Sequence, residues 1–184
     1  NYYDIKQIKR VRLVRRADGY YAQFAIDVKV RVESNLTGKM VGLDLGLKFF
    51  IADNAGNTEP CPQFYRKSEK QLTLANRKKS KKFVKGAKPQ SKNYHKARNR
   101  YARRHLGVSR QRKEYCKRVA YSVIQSNDLV AYEDLNVKGL VRNRHLAKSI
   151  SDAGWSTFRQ WLEYFGFKYG KQTIAVAPHN TSQN

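Results

Sequence analysis

Between Arg66 and Arg118 the chain carries 21 Lys and Arg against two acids, Glu69 and Glu114. Nineteen of the net +24 charges of the 184-residue chain therefore sit in this one stretch. Like charges at that density repel one another in a compact state, so the segment must lie at a surface and calls for a polyanionic partner. An anionic membrane surface would also meet that demand. The sequence has no run of roughly eighteen apolar residues and no signal-peptide apolar core, so nucleic acid is the favoured partner and a membrane is not expected.

The flanks are ordinary in composition. Composition shifts near Phe64 and again near Ala120, so the basic stretch reads as an insertion between two conventional segments. With 40% hydrophobic residues, the remainder can build one mid-sized domain, or a core domain with a piece of a second. Residues 8–30 predict a hairpin. Val11 and Leu13 alternate with Arg10 and Arg12, Ala17-Asp18-Gly19 supplies the turn, and Tyr20, Ala22, Phe24, Ile26, Val28 and Val30 share a face of the return strand. After a connector at 34–38, strands are predicted at Met40–Leu45 and Phe49–Asp53, with a turn at 54–57. Inside the insertion, Ser68 is placed to cap a helix reaching Phe83. A second helix begins after Ser91, with Tyr94, Ala97, Tyr101, His105 and Val108 on one face and Gly107 as a candidate kink. Beyond it, Leu129–Tyr132 predicts a strand. Residues 151–169 predict a helix capped by Ser151 and stopped by Gly170, and Thr173–Ala177 predicts a last strand ended by Pro178. Strands and helices in this order imply an α/β layer with a partly parallel sheet.

Two acids stand where such a sheet places ligands. In Gly42-Leu43-Asp44-Leu45-Gly46, strand alternation puts Asp44 on one face with a glycine two residues to either side, leaving room for a metal ion and a phosphodiester. The same acid could instead cap a turn, with the glycines serving tight packing, and spacing leaves both readings open. Glu133 closes the strand Leu129–Tyr132, at the carboxyl end where open α/β sheets hold ligands; alone it reads equally as a surface acid. Two such acids on neighbouring strand ends would suit Mg²⁺, which takes one or two carboxylates together with phosphate oxygens and water. Cys61 and Cys116 lack a metal-ligand spacing and read as unpaired thiols. His95, His105, His145 and His179 share no ligand spacing and are given no role.

The segment from Gly38 to Lys48 resembles the opening of the RuvC-like nuclease domain in the TnpB (OrfB) family of insertion-sequence proteins. Tyr132-Glu133-Asp134-Leu135-Asn136-Val137 and Ile150-Ser151-Asp152-Ala153-Gly154-Trp155-Ser156-Thr157-Phe158 resemble later motifs of that family. Residues 177–184 look like the stretch that leads into its zinc ribbon. Ser91-Lys92-Asn93 and the Arg/Lys-rich helix after it also fit, so the match covers nearly the whole chain in order.

The resemblance implies an RNase H-like (RuvC-like) α/β fold with a mixed sheet, interrupted by a long basic helical insertion over 66–126. Before it, residues 1–36 would be the end of a wedge or β-barrel domain, contributing the hairpin, and residues 37–184 an incomplete nuclease domain. TnpB proteins are RNA-guided DNA endonucleases, so guide RNA and target DNA are the implied partners and the prokaryotic cytoplasm the implied location. Asp44 matches the family's first catalytic, metal-binding acid and Glu133 its second, with Mg²⁺ or Mn²⁺ as the cofactor. Lys92, Asn93, Arg98, Arg100, Arg103, Arg104, Arg110 and Arg112 are the expected phosphate contacts, giving affinity without reading bases. The family's third acid follows the ribbon, so the chain reads as a fragment that should not cut alone, with Zn²⁺ only in the missing ribbon. Asp152 belongs to a motif ahead of the ribbon and is expected to cap a helix rather than bind metal. A catalytically silent nucleic-acid-binding module derived from such a nuclease is the alternative. A transposase in the strict sense is disfavoured by the same resemblance, although older naming uses the word.

Overall fold

The computed structural model describes residues 4–177. Pro178, His179 and the 178–184 part of the ribbon-leading motif lie outside the described residues. The chain divides into two compact units, Asn1–Val30 with Ser68–Ser109, and Arg31–Lys67 with Arg110–Asn184. The basic insertion is thus shared between them, and its larger part belongs with the hairpin.

In the first unit, Asp4 and Gln7 form a capping box around a short 3-10 turn, and β1 (Ile8–Arg16) follows at once. It pairs antiparallel with β2 (Gly19–Ile26), from Arg16 against Gly19 at the turn to Ile8 against Ile26 at the open end. The hairpin was expected to reach residue 30. It stops at Ile26, because the chain ahead of β1 is coiled into the 3-10 turn Ile5–Gln7, whose Gln7 carbonyl takes a last bond from the Asp27 amide. The same unit holds most of α1 (Phe64–Ser80) and the first half of α2 (Lys92–Ser126). Ser91 Oγ accepts the Tyr94 amide and starts α2, as its sequence position predicts. Tyr94, Ala97, Tyr101, His105 and Val108 are among the less exposed positions of this half, with Ala102, Leu106 and Ser109 beside them. Gly107 does not break the helix: a glycine costs a helix interior only about 1 kcal/mol relative to alanine, too little to interrupt 35 residues held elsewhere.

The second unit is built on a five-stranded sheet in the order β5-β4-β3-β6-β7. Its strands are β3 (Met40–Asp44), β4 (Phe49–Asp53), β5 (Thr58–Pro60), β6 (Leu129–Glu133) and β7 (Gln172–Val176). β3, β6 and β7 run parallel, whereas β4 is antiparallel to both β3 and β5. β5 had not been expected. Pro60 would disqualify it from a sheet centre, but at an edge its missing N–H costs nothing. A register shift between Phe49 and Ile51 marks a bulge, which lets the successive residues Phe50 and Ile51 both be buried.

Helices cover this sheet. Cys116, Ala120 and Ile124, one turn apart on the second half of α2, are fully buried. The predicted helix over 151–169 is two helices, α4 (Ala147–Ala153) and α5 (Trp155–Tyr169), preceded by one turn, α3 (Val137–Leu140). Ser151 lies inside α4 and caps nothing. Gly154 joins α4 to α5 at φ 75°, and a Cβ there would lie 2.8 Å from Arg112 Cδ, so both backbone and space demand glycine. Gly170 ends α5 at φ 65°, as expected. Trp155, Phe158, Leu162 and Phe165 form its buried face, with Phe158 edge-on to Phe50 at 5.0 Å. The connector into β3 is pinned by Asp128, whose carboxylate accepts the Thr37 and Gly38 amides and the Lys171 ammonium.

Candidate active site

β3 and β6 end side by side. Their register pairs Leu43 with Tyr132, so one further residue sets Asp44 beside Glu133 across a strand spacing of about 4.8 Å. Leu43 and Tyr132 are buried, and the alternation sends Asp44 and Glu133 away from them. Both acids line one cavity of about 520 Å³, together with Gly42, Ala52, Asn54, Ala131 and Val176. Small residues keep its floor low. A Cβ added at Gly42 would meet nothing within 4 Å, which fits the cleared face expected there. Gly46 has a different reason, since its Cβ would lie 3.0 Å from the Phe49 carbonyl oxygen at the turn into β4.

Among the described residues, Asp44's carboxylate has no hydrogen-bond or ion-pair partner, in a chain with 38 Lys and Arg. A third acid, Asp53, also borders the cavity, but its oxygens accept from the Ala55 and Asn57 amides and from Asn57 Nδ2. These bonds hold its carboxyl below the usual range and commit it to the turn. In the sequence Asn54 reads only as part of a turn; its Oδ1 accepts the Gly42 amide and steadies the strand beneath Asp44. Turn composition was its only signal. No group of three or more metal-capable side chains occurs among the described residues. Two carboxylates on a face cleared of side chains do fit a hard divalent cation that completes its shell with phosphate oxygens and water.

Behind Glu133 the chain is fastened to α5. Tyr132 Oη donates to Glu163 Oε1 at 2.9 Å, Arg159 Nε donates to the same oxygen at 2.9 Å, and Arg159 Nη1 pairs with Asp134. Burial, and then the bond to Glu163, push the Tyr132 phenol up to about 12.

Asp152 lies elsewhere. It is buried near the end of α4, and its carboxylate accepts the Tyr65 amide at 2.9 Å and the Arg66 amide at 3.3 Å. Asp152 thus caps a helix, as expected, but the helix is α1, 87 residues away, which begins at Phe64 rather than at a cap on Ser68. Arg112 Nη2 completes the arrangement at 3.1 Å from Asp152 Oδ1, which takes Arg112 out of the expected phosphate-facing set.

The other expected contacts fall on exposed positions of α2. Arg100, Arg103 and Arg104 line a groove of about 580 Å³ with Lys96 and Asn99. Arg98 and Arg103 border a second, of about 660 Å³, with Arg15 and Arg16 of the hairpin, where Arg103 Nε donates to the Ala17 carbonyl at 3.1 Å. Lys92 and Asn93 open the helix in solvent and Arg110 is exposed. Sequence reasoning missed Arg15 and Arg16, because a hairpin arginine gives no sign of which helix it will face.

Residues 23–144 match the family model OrfB_IS605, described as "Probable transposase". Two curated relatives share the name "Putative RNA-guided DNA endonuclease". One, from Streptomyces pristinaespiralis, is 32% identical over 140 residues, 76% of this chain and 34% of its own length. The second, from Escherichia coli K12, carries the further name InsQ and is 26% identical over 191 residues, 96% of this chain and 46% of its own. The chain therefore spans between a third and a half of these relatives. Among solved structures, a Cas12f1-sgRNA-target DNA complex superposes with a TM-score of 0.54 at 17% identity, covering 90% of this chain and 34% of that one. A CRISPR-Cas12f ternary complex gives 0.52 at 19% identity, covering 94% and 35%. At these identities the likeness is one of fold, and it agrees with the expected RuvC-like mixed sheet.

Proposed function

Because the chain belongs to the OrfB_IS605 family, we propose that it forms part of the nuclease core of an RNA-guided DNA endonuclease of a transposable element. The observation that carries this is the pair of carboxylates, Asp44 and Glu133, at adjacent parallel strand ends over one open cavity. Asp44 and Glu133 would hold Mg²⁺ or Mn²⁺. When bound, such an ion supplies Lewis-acid charge against a phosphodiester.

The chain's own residues have three tasks. Asp44 and Glu133 orient toward the backbone of the bound strand, Gly42 and Ala131 leave space for it, and Asn54 keeps the β3 edge in place. The exposed arginines of α2 neutralise phosphates of the guide RNA and target DNA without reading sequence, which base pairing would supply. Action on DNA inside a prokaryotic cell follows from this reading; among the described residues no helix is long and apolar enough to cross a membrane.

The test is cleavage of a target duplex by a longer protein carrying these residues, loaded with its RNA. Asp44→Ala and Glu133→Ala are each expected to abolish cutting while RNA binding persists. The 184-residue chain brings two carboxylates to the site, and we propose that it binds without cutting. RNA binding without any cleavage by the unaltered protein would leave the silent binding module as the better reading, and cleavage that survives both substitutions would overturn the choice of Asp44 and Glu133.

A further inference from the structure

We propose that Glu163 and Arg159 of α5 are positioning residues for Glu133: they grip Tyr132 and Asp134, the residues on either side of it, and so fix where its carboxylate points. The inference rests on the reading of Glu133 as a metal-holding acid.

The geometry is that of a yoke. Along a strand, residues 132 and 134 face one way and residue 133 the other. α5 packs on the 132 side, where Tyr132 is 3% exposed. Glu163 Oε1 accepts from Tyr132 Oη and from Arg159 Nε, both at 2.9 Å, and Arg159 continues to Asp134. Tyr132, Glu163, Arg159 and Asp134 therefore make one unbroken hydrogen-bonded arc around residue 133. The main chain is held as well, by Glu133 pairing with Val176 and by the Asp134 amide donating to the Val176 carbonyl at 2.8 Å. Rolling β6 about its axis would swing Glu133 away from Asp44, and that roll must break a tether on one side or the other. Glu163 and Arg159 also line a cavity of about 340 Å³ that shares Glu133 with the site, so the yoke borders the place it steadies.

A purely stabilising role explains this poorly. The Arg159, Asp134 and Glu163 side chains are all more than 40% exposed, and ion pairs so wetted contribute little to folding. Their geometric effect does not depend on that contribution, because a ligand carboxylate loses affinity when its supporting bonds are removed even though the fold survives.

Mn²⁺ alone, titrated into the 184-residue chain and followed by the resonance signal of the free ion, tests the yoke without requiring activity. Glu163→Ala is expected to weaken Mn²⁺ binding about tenfold, while Glu163→Gln, which keeps an oxygen acceptor for both donors, stays within about twofold of the parent. Tyr132→Phe cuts one tether without changing charge and is expected to cost about threefold. The circular dichroism spectrum should be unchanged in all three, and if Glu163→Ala fails to fold, Tyr132→Phe carries the test. Equal losses in Glu163→Ala and Glu163→Gln would assign the effect to charge and overturn the positioning role, as would no loss in Glu163→Ala or Tyr132→Phe. Asp44→Asn and Glu133→Gln separate the two levels. Unchanged Mn²⁺ binding in both would overturn the site itself, whereas binding lost in both but intact in Glu163→Ala would overturn only the yoke.

Discussion

The two sheets use similar strand patterning to opposite ends. In the hairpin, Val11 and Leu13 alternate with arginines and Phe24 pairs across from Val11, yet the three are 57%, 73% and 56% exposed. In the five-stranded sheet, Val130 and Tyr132 likewise fall on every second position of β6, within an apolar run, and are 0% and 3% exposed. Alternation dictates an extended backbone in both places. Burial follows only where other elements supply a cover, and within the hairpin's own unit no such cover reaches these residues. The difference separates a region whose surface groups face outward from one whose packing sets the position of two acids.

Core truncation should divide the regions most sharply. Phe158→Ala removes a fully buried ring beside Phe50 and is expected to cost about 3–5 kcal/mol in urea unfolding, whereas Phe24→Ala should cost under about 0.5 kcal/mol. Comparable losses would break the comparison and mean that something covers the hairpin. Asp152→Asn comes next, because it weakens the hold on two amides of α1 and leaves Arg112 partly buried without its charge partner. A loss of about 2–3 kcal/mol by the same measurement is expected. Neutralising Arg98, Arg100, Arg103 and Arg104 together should leave stability within about 0.5 kcal/mol and act on binding instead. If the unaltered chain neutralises about six phosphates, log K against log[salt] slopes at roughly −4 to −5, and the quadruple variant should flatten it by about 3. An unaltered slope would remove the helix from the interface. The last test reads pH dependence and concerns Asp128, whose carboxyl is held below its ordinary range by Lys171 and then by the Thr37 amide. A depressed folded-state pKa stabilises above the unfolded value near pH 4, and the contribution fades as acid titrates the group. Asp128→Asn should therefore lower Tm at neutral and alkaline pH, approach the parent in acid, and so make the acid limb of a Tm-against-pH curve shallower.

What the sequence made legible follows from which interactions are local. The strands at 40–44, 49–53 and 129–133 and the buried face of α5 carry their period in adjacent residues, and Ser91 caps its helix through an amide three residues away. Asp44 and Glu133 were readable because a strand's end is where its alternation stops. The break at Gly154 was hidden, since the apolar positions at 150, 153, 155 and 158 continue across it as though the helix were whole. Ser68 had the local chemistry of a cap, but Asp152 won α1 from 87 residues away. Arg112 resembles every other arginine on α2 until its partner is known, and the arc around Glu133 likewise joins side chains that only the tertiary fold brings together.

The parallel pairing of β3 has a consequence for synthesis. Val41 bonds beside Val130, almost ninety residues later in the chain, and until those residues emerge β3 can pair only with β4. At ribosomal rates of about 5–20 residues per second, its other edge stays open for on the order of ten seconds. That edge includes Val41 and Leu43, and an unpaired apolar edge is a template for mispairing with another chain. The cationic stretch is made during this interval, and the mutual repulsion of nascent chains bearing it would keep them apart while the half-built sheet waits for β6 and β7.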